Sequence, residues 1–139
     1  MAILVVFIGG GVGSVLRFLV GKGVSKFASS FISAFCVSPV LSSVLATFIV
    51  NALGSFVLGF LSVLFLYKFS MAENLRLLLM VGLCGGFTTF STFSLDVINL
   101  FKFNLSYAFI YIFITLFVSI FLAFLGILLA QNIALSLKL

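Results

Sequence analysis

Two stretches without a charged residue constrain this chain most: one between Lys26 and Lys68, the other between Lys102 and Lys138. A third uncharged run precedes Arg17. A helix needs about 20 mainly apolar residues to cross the ~30 Å hydrocarbon core of a bilayer. Across the 139 residues, 65% are hydrophobic and 6% charged, a balance that excludes a soluble globular domain. The expected fold class is therefore an all-α membrane protein, a single transmembrane domain over residues 1–139. Four spans are expected, at about 2–20, 40–67, 75–100 and 105–134. The N-terminal run has no basic n-region and reads as a retained first helix, not a signal peptide. A bundle this small scarcely encloses a pathway within one chain, so self-association is expected. The net charge of +5 sits at helix ends, where Lys and Arg anchor at lipid headgroups, and nothing resembles a nucleic-acid patch. Cys36 and Cys84 are far apart and read as free thiols, with no His to join them at a metal.

In the first span, Gly9 and Gly13 have the small-xxx-small spacing that lets another helix approach closely. Arg17 follows at the membrane edge, with Lys22 and Lys26 beyond. It either snorkels to the headgroups or faces a wet vestibule that attracts anions. In the second span, Asn51, Ser55 and Gly59 share a face at i, i+4 and i+8. An amide at that depth is costly without a partner. Asn51 is therefore either interhelical glue or an N–H donor toward an anion path. In the fourth span, Tyr111, Thr115 and Ser119 repeat the same spacing. Their hydroxyls either bond back to the helix or form a polar track.

The third span holds Gly82, Gly85 and Gly86, then Thr88, Thr89, Phe90, Ser91, Thr92 and Phe93. Each glycine costs about 1 kcal/mol in a helix interior relative to Ala, and threonines lose side-chain freedom there. The third helix is expected to break mid-membrane, where freed carbonyls and amides suit an ion site. Phe90 and Phe93, three apart, face one way on the resumed helix. They are either packing or present the positive ring edge to an anion.

With four spans, Lys68, Arg76 and Lys138 lie on one side of the membrane and Lys22, Lys26 and Lys102 on the other. That near balance removes the usual positive-inside bias, so either orientation is expected to insert and two copies to pair antiparallel. No nucleophile–base pair or phosphate loop marks an enzyme. Only Glu73 and Asp96 are acidic, and both read as lying near helix ends. Proton-coupled export of cationic drugs, which wants a deep carboxylate, is thereby disfavoured. A non-transporting structural subunit, with every polar residue serving as glue, is the other alternative.

The string Gly85-Gly86-Phe87-Thr88-Thr89-Phe90-Ser91-Thr92-Phe93 resembles the signature of the Fluc/CrcB family of fluoride ion channels. The segment from Gly9 to Arg17 and the segment Asn51-Ala52-Leu53-Gly54-Ser55-Phe56 resemble the family's first and second helices. Ser14 stands where Ala is often seen, and the connection over 21–39 is longer than usual. The resemblance implies a passive fluoride-selective channel in the plasma membrane, built as an antiparallel dual-topology homodimer with two pores. It implies pore roles for Asn51, Phe90, Phe93, Tyr111, Thr115 and Ser119, and a vestibule role for Arg17. It also implies a structural Na+ at the dimer centre, held by the backbone carbonyls of Gly85 and Thr88.

Overall fold

The computed structural model describes residues 1–31, 39–67 and 73–136. Ile32, Phe35, Cys36, Lys68 and Lys138 lie outside the described residues. The helices are α1 (Ala2–Phe31), α2 (Pro39–Tyr67), α3 (Glu73–Arg76), α4 (Gly85–Phe87), α5 (Phe90–Phe103) and α6 (Leu105–Ser136), with a π-helical stretch, Leu77–Cys84, between α3 and α4. Among the described residues, four helical spans are long and apolar enough to cross a membrane: Ala2–Phe27, Val40–Leu66, Glu73–Phe103 and Leu105–Ser136. The chain is thus a four-span, all-helical membrane protein.

Helix α1 runs to Phe31, well past the Val20 end expected for the first span. Nothing in Gly21-Lys22-Gly23 forces a stop, because the chain's one proline comes later and opens α2 at Pro39. Proline suits that first position, since its missing N–H is one the helix start does not use.

Lipid tails are as apolar as leucine, so spans associate mainly by close packing and hydrogen bonding, which small residues favour. That rule sets the layout. Helix α1 lies against the π stretch and α4, and α2 lies against α6. A Cβ at Gly9 would fall on the carbonyl oxygen of Leu78, and one at Gly13 on that of Leu83. From the other side, a Cβ at Gly86 would strike the carbonyl of Gly10. Between α2 and α6, Gly59 meets the backbone of Ala123, and Gly126 that of Phe56. The expected role of Gly9 and Gly13 in close packing is what the structure has.

The glycines of the third span act differently from their sequence reading. Gly82 lies in the π stretch and Gly86 in α4, and both serve close approach to α1. The residues that leave helical geometry are Thr88 (φ −78°, ψ 158°) and Thr89 (φ −151°, ψ 116°). Extended backbone suits β-branched side chains, whereas the glycines are used where a Cβ would collide. A small core of Val44, Phe93, Val97 and Tyr111 joins α2, α5 and α6 beside this point.

Candidate functional site

An extended pair between two helical segments leaves backbone groups without helical partners, and these are costly where water is scarce. Here one side chain resolves much of the problem. The Asn51 side chain donates through Nδ2 to the Thr89 carbonyl (3.1 Å) and accepts at Oδ1 from the Thr89 N–H (2.8 Å). Thr88 closes the end of α4: its N–H and its hydroxyl both donate to the Cys84 carbonyl, each at 3.0 Å. Thr89 then starts α5 as its N-cap, its Oγ1 accepting from the Thr92 N–H at 3.2 Å. Its hydroxyl also donates to the Thr92 hydroxyl at 3.0 Å.

Because the Thr89 N–H goes to Asn51, the Gly85 carbonyl four residues back loses its helical donor. A Cβ built on Gly85 would meet nothing within 4 Å, so the chain is open there. The Thr88 carbonyl accepts one bond, from Arg17 Nη1 at 3.3 Å, and a carbonyl has two lone pairs. Both oxygens therefore keep acceptor capacity, the kind of donor that unwound backbone offers a hard cation.

Beside the clasp is an inner cavity of about 240 Å³ lined by Asn51, Ser55, Thr88, Thr89, Phe90, Phe93, Thr115 and Ser119, among others. Asn51 has a second N–H, since only one is used on Thr89. The Phe90 and Phe93 rings lie 5.7 Å apart, and Phe93 lies 5.3 Å from Tyr111. The hydroxyls of Thr115 and Ser119 are buried and meet no hydrogen-bond partner among the described residues. A buried hydroxyl left in that state costs about 1–3 kcal/mol, which a hydrogen-bond acceptor in the cavity would recover. The cavity thus presents weak neutral donors and phenylalanine rings, with no carboxylate among its lining.

A second, larger cavity of about 820 Å³ opens between α1 and α2. It is lined by Arg17, Lys22 and Lys26 with serine and threonine hydroxyls, and no acidic side chain reaches it. Thr89 lines both cavities.

Several of the residues singled out in the sequence come together here. Asn51, Ser55, Thr88, Thr89, Phe90, Phe93, Thr115 and Ser119 line the inner cavity, and Gly85 is not among its lining. Arg17 lines the larger cavity and donates to the Thr88 carbonyl. Tyr111 stands behind Phe93 and is not among the inner cavity's lining. Asn51 is glue between helices, bonded to the Thr89 backbone, and it also lines the inner cavity.

One reading needs correction. Asp96 is not at an aqueous helix end: it is 2% exposed, accepts from the Ser43 hydroxyl at 2.7 Å, and has the Tyr111 hydroxyl at 3.5 Å. The carboxylate is thus buried where α2, α5 and α6 meet. Its place within α5 was visible; the Ser43 partner, 53 residues away, was not. The same is true of Thr89, whose role depends on the backbone pairing with Asn51.

These features define a class: a small multi-pass membrane protein with an uncharged, largely apolar cavity bearing hydroxyls and an amide at a helix interruption, beside a larger cavity with basic side chains. The family follows from comparison. The family model for CrcB-like protein, Camphor Resistance (CrcB), matches residues 4–127. A fluoride-specific ion channel FluC of Hydrogenobaculum sp. is 40% identical over 100 residues, covering 72% of each chain. One from Rhizobium johnstonii is 45% identical over 101 residues, covering 73% of this chain and 71% of its own. The chain belongs to the CrcB-like family.

Proposed function

We propose that the protein is a fluoride-selective ion channel that lets fluoride leave the cell passively across the plasma membrane. The observation that carries this reading is the inner cavity, where two orphaned hydroxyls, a spare amide N–H and the Phe90–Phe93 pair converge. Weak donors on several sides replace part of a small anion's water shell without binding it so tightly that it stays. Family membership and the channel names of relatives about 40% identical support the same assignment.

In this reading the channel is an antiparallel homodimer of dual-topology chains, and the Thr88–Thr89 interruption lies at mid-membrane. The balanced loop charges support that arrangement. Gly85 and Thr88 offer one backbone oxygen each, so a twofold axis beside them would gather four around a structural Na+. The ion would supply positive charge between two anion paths. Arg17 holds the Thr88 carbonyl from the vestibule side and draws anions inward, and Asn51 holds Thr89 so that the lining stays in register.

The burial of Asp96 removes one reason for setting aside a proton-coupled drug exporter. Family membership and the bonding of that carboxylate to Ser43 and Tyr111 disfavour the exporter instead. The test is fluoride efflux from liposomes holding the purified protein, read with a fluoride electrode and repeated with chloride. Fast fluoride release with little chloride release is expected; its absence from folded, reconstituted protein would overturn the assignment.

A further inference from the structure

The larger cavity is more than an entrance for a monatomic ion. Ser14, Arg17, Phe18, Gly21, Lys22, Ser25 and Lys26 all line it, and they form one continuous i, i+3, i+4 face of α1. Ser42, Ser43 and Thr47 of α2 line the facing wall. The cavity volume of about 820 Å³ falls in the ~300–1,000 Å³ range of small-molecule sites. A water molecule's share of liquid volume is only ~30 Å³, so the space far exceeds what one halide fills.

We infer that this cavity is a binding site for a phosphate-bearing anion, held between Arg17, Lys22 and Lys26 on one wall and the Ser42 and Thr47 hydroxyls on the other, the Ser43 proton being given to Asp96. Fluoride is one acceptor centre, whereas a phosphate group presents several oxygens in different directions. That matches donors placed on two walls. A guanidinium grips two such oxygens at once, and ammonium groups add charge without a fixed direction. The ammonium of Lys22 sits 4.9 Å from the centre of the ring of Phe18, another lining residue. No carboxylate lines the cavity, and Asp96 stands behind Ser43, which donates to it. The phosphate has two possible sources, an anionic lipid headgroup or inorganic phosphate. The site lies where α1 passes from its uncharged run to its basic end, within reach of both.

The test is calorimetric titration of inorganic phosphate into the purified full chain in a neutral detergent, at ionic strength held constant with chloride. Saturable binding is expected, weakened at least tenfold in the Lys22→Gln/Lys26→Gln double variant. Both lysines are exposed, so the variant is expected to keep its fold, checked by helicity and elution volume. A readout without any variant is amine acylation: phosphate should slow it at Lys22 and Lys26 and leave Lys102 unchanged. Short-chain phosphatidylglycerol that displaces phosphate assigns the site to lipid; failure to displace it assigns the site to the free ion. No saturable binding, or equal binding by the double variant, would overturn the inference. Fluoride efflux is measured separately, so loss of the channel reading and loss of this site are told apart.

Discussion

Replacing Asn51 with Leu tests the clasp most directly. The side chains are similar in size, so the change removes polarity with little change in packing. Two hydrogen bonds disappear, the one to the Thr89 carbonyl and the one from its N–H. Each exposes a part-buried backbone group, and such a group left unpaired costs about 1–3 kcal/mol. The expected loss is therefore about 2–6 kcal/mol for the pair. Asn51→Asp keeps an acceptor for the Thr89 N–H but turns its second oxygen on the Thr89 carbonyl and strips a carboxylate of water, so a loss at least as large is expected. Thermal unfolding in detergent reads the loss: wild type highest, both variants lower. Fluoride efflux should fall in Asn51→Leu by at least tenfold, because the clasp and one lining donor go together. Unfolding midpoints that coincide for all three proteins, with efflux unchanged, would refute the account of how the interruption is held.

Thr115→Val should separate stability from transport: it removes an unpaired buried hydroxyl at constant shape, so stability rises by about 1 kcal/mol while fluoride efflux falls severalfold. Parallel unfolding and electrode measurements check the opposite signs. Phe90 is 76% exposed and Phe93 7%, so Phe90→Leu should leave stability within about 0.5 kcal/mol and Phe93→Leu should lower it by about 1 kcal/mol. Both should lose most fluoride efflux; retained flux would return the two rings to a packing role. Gly13→Ala would drive a Cβ into the Leu83 carbonyl, so a markedly lower yield of folded protein is expected by size-exclusion chromatography. Ser43→Ala removes a hydrogen bond to the buried Asp96 carboxylate, a loss of about 1.5–3 kcal/mol in unfolding free energy.

The number of spans was legible because a bilayer turns hydrophobic length into helix count, and the uncharged runs leave few alternatives. Helix ends were less so: α1 continues beyond Val20 because neither Gly21 nor Gly23 is enough to stop it. The interrupted stretch was legible from its unusual residue mixture. Its mechanism was not, since glycines weaken a helix wherever they stand, and only the neighbouring backbone shows which are there for contact. Asn51 was conspicuous as a lone amide between apolar residues. Its partner was hidden because a backbone group carries no sequence signal. Asp96 was misread for a similar reason: its place about a turn from the expected end of the third span suggested water, while Ser43 and Tyr111 arrive from other helices.

Thr89 forms a wall of both cavities. In the channel reading the two compartments then behave as conductors in series, separated by little more than one residue. Throughput is set by whichever passage is slower. At low fluoride, capture in the cationic antechamber limits the current, and charges such as Lys22 matter. At high fluoride the inner passage limits it, and the same charges drop out of the measured rate. A vestibule substitution assayed only at saturating fluoride would look silent, although it governs the concentrations at which the cell first needs relief.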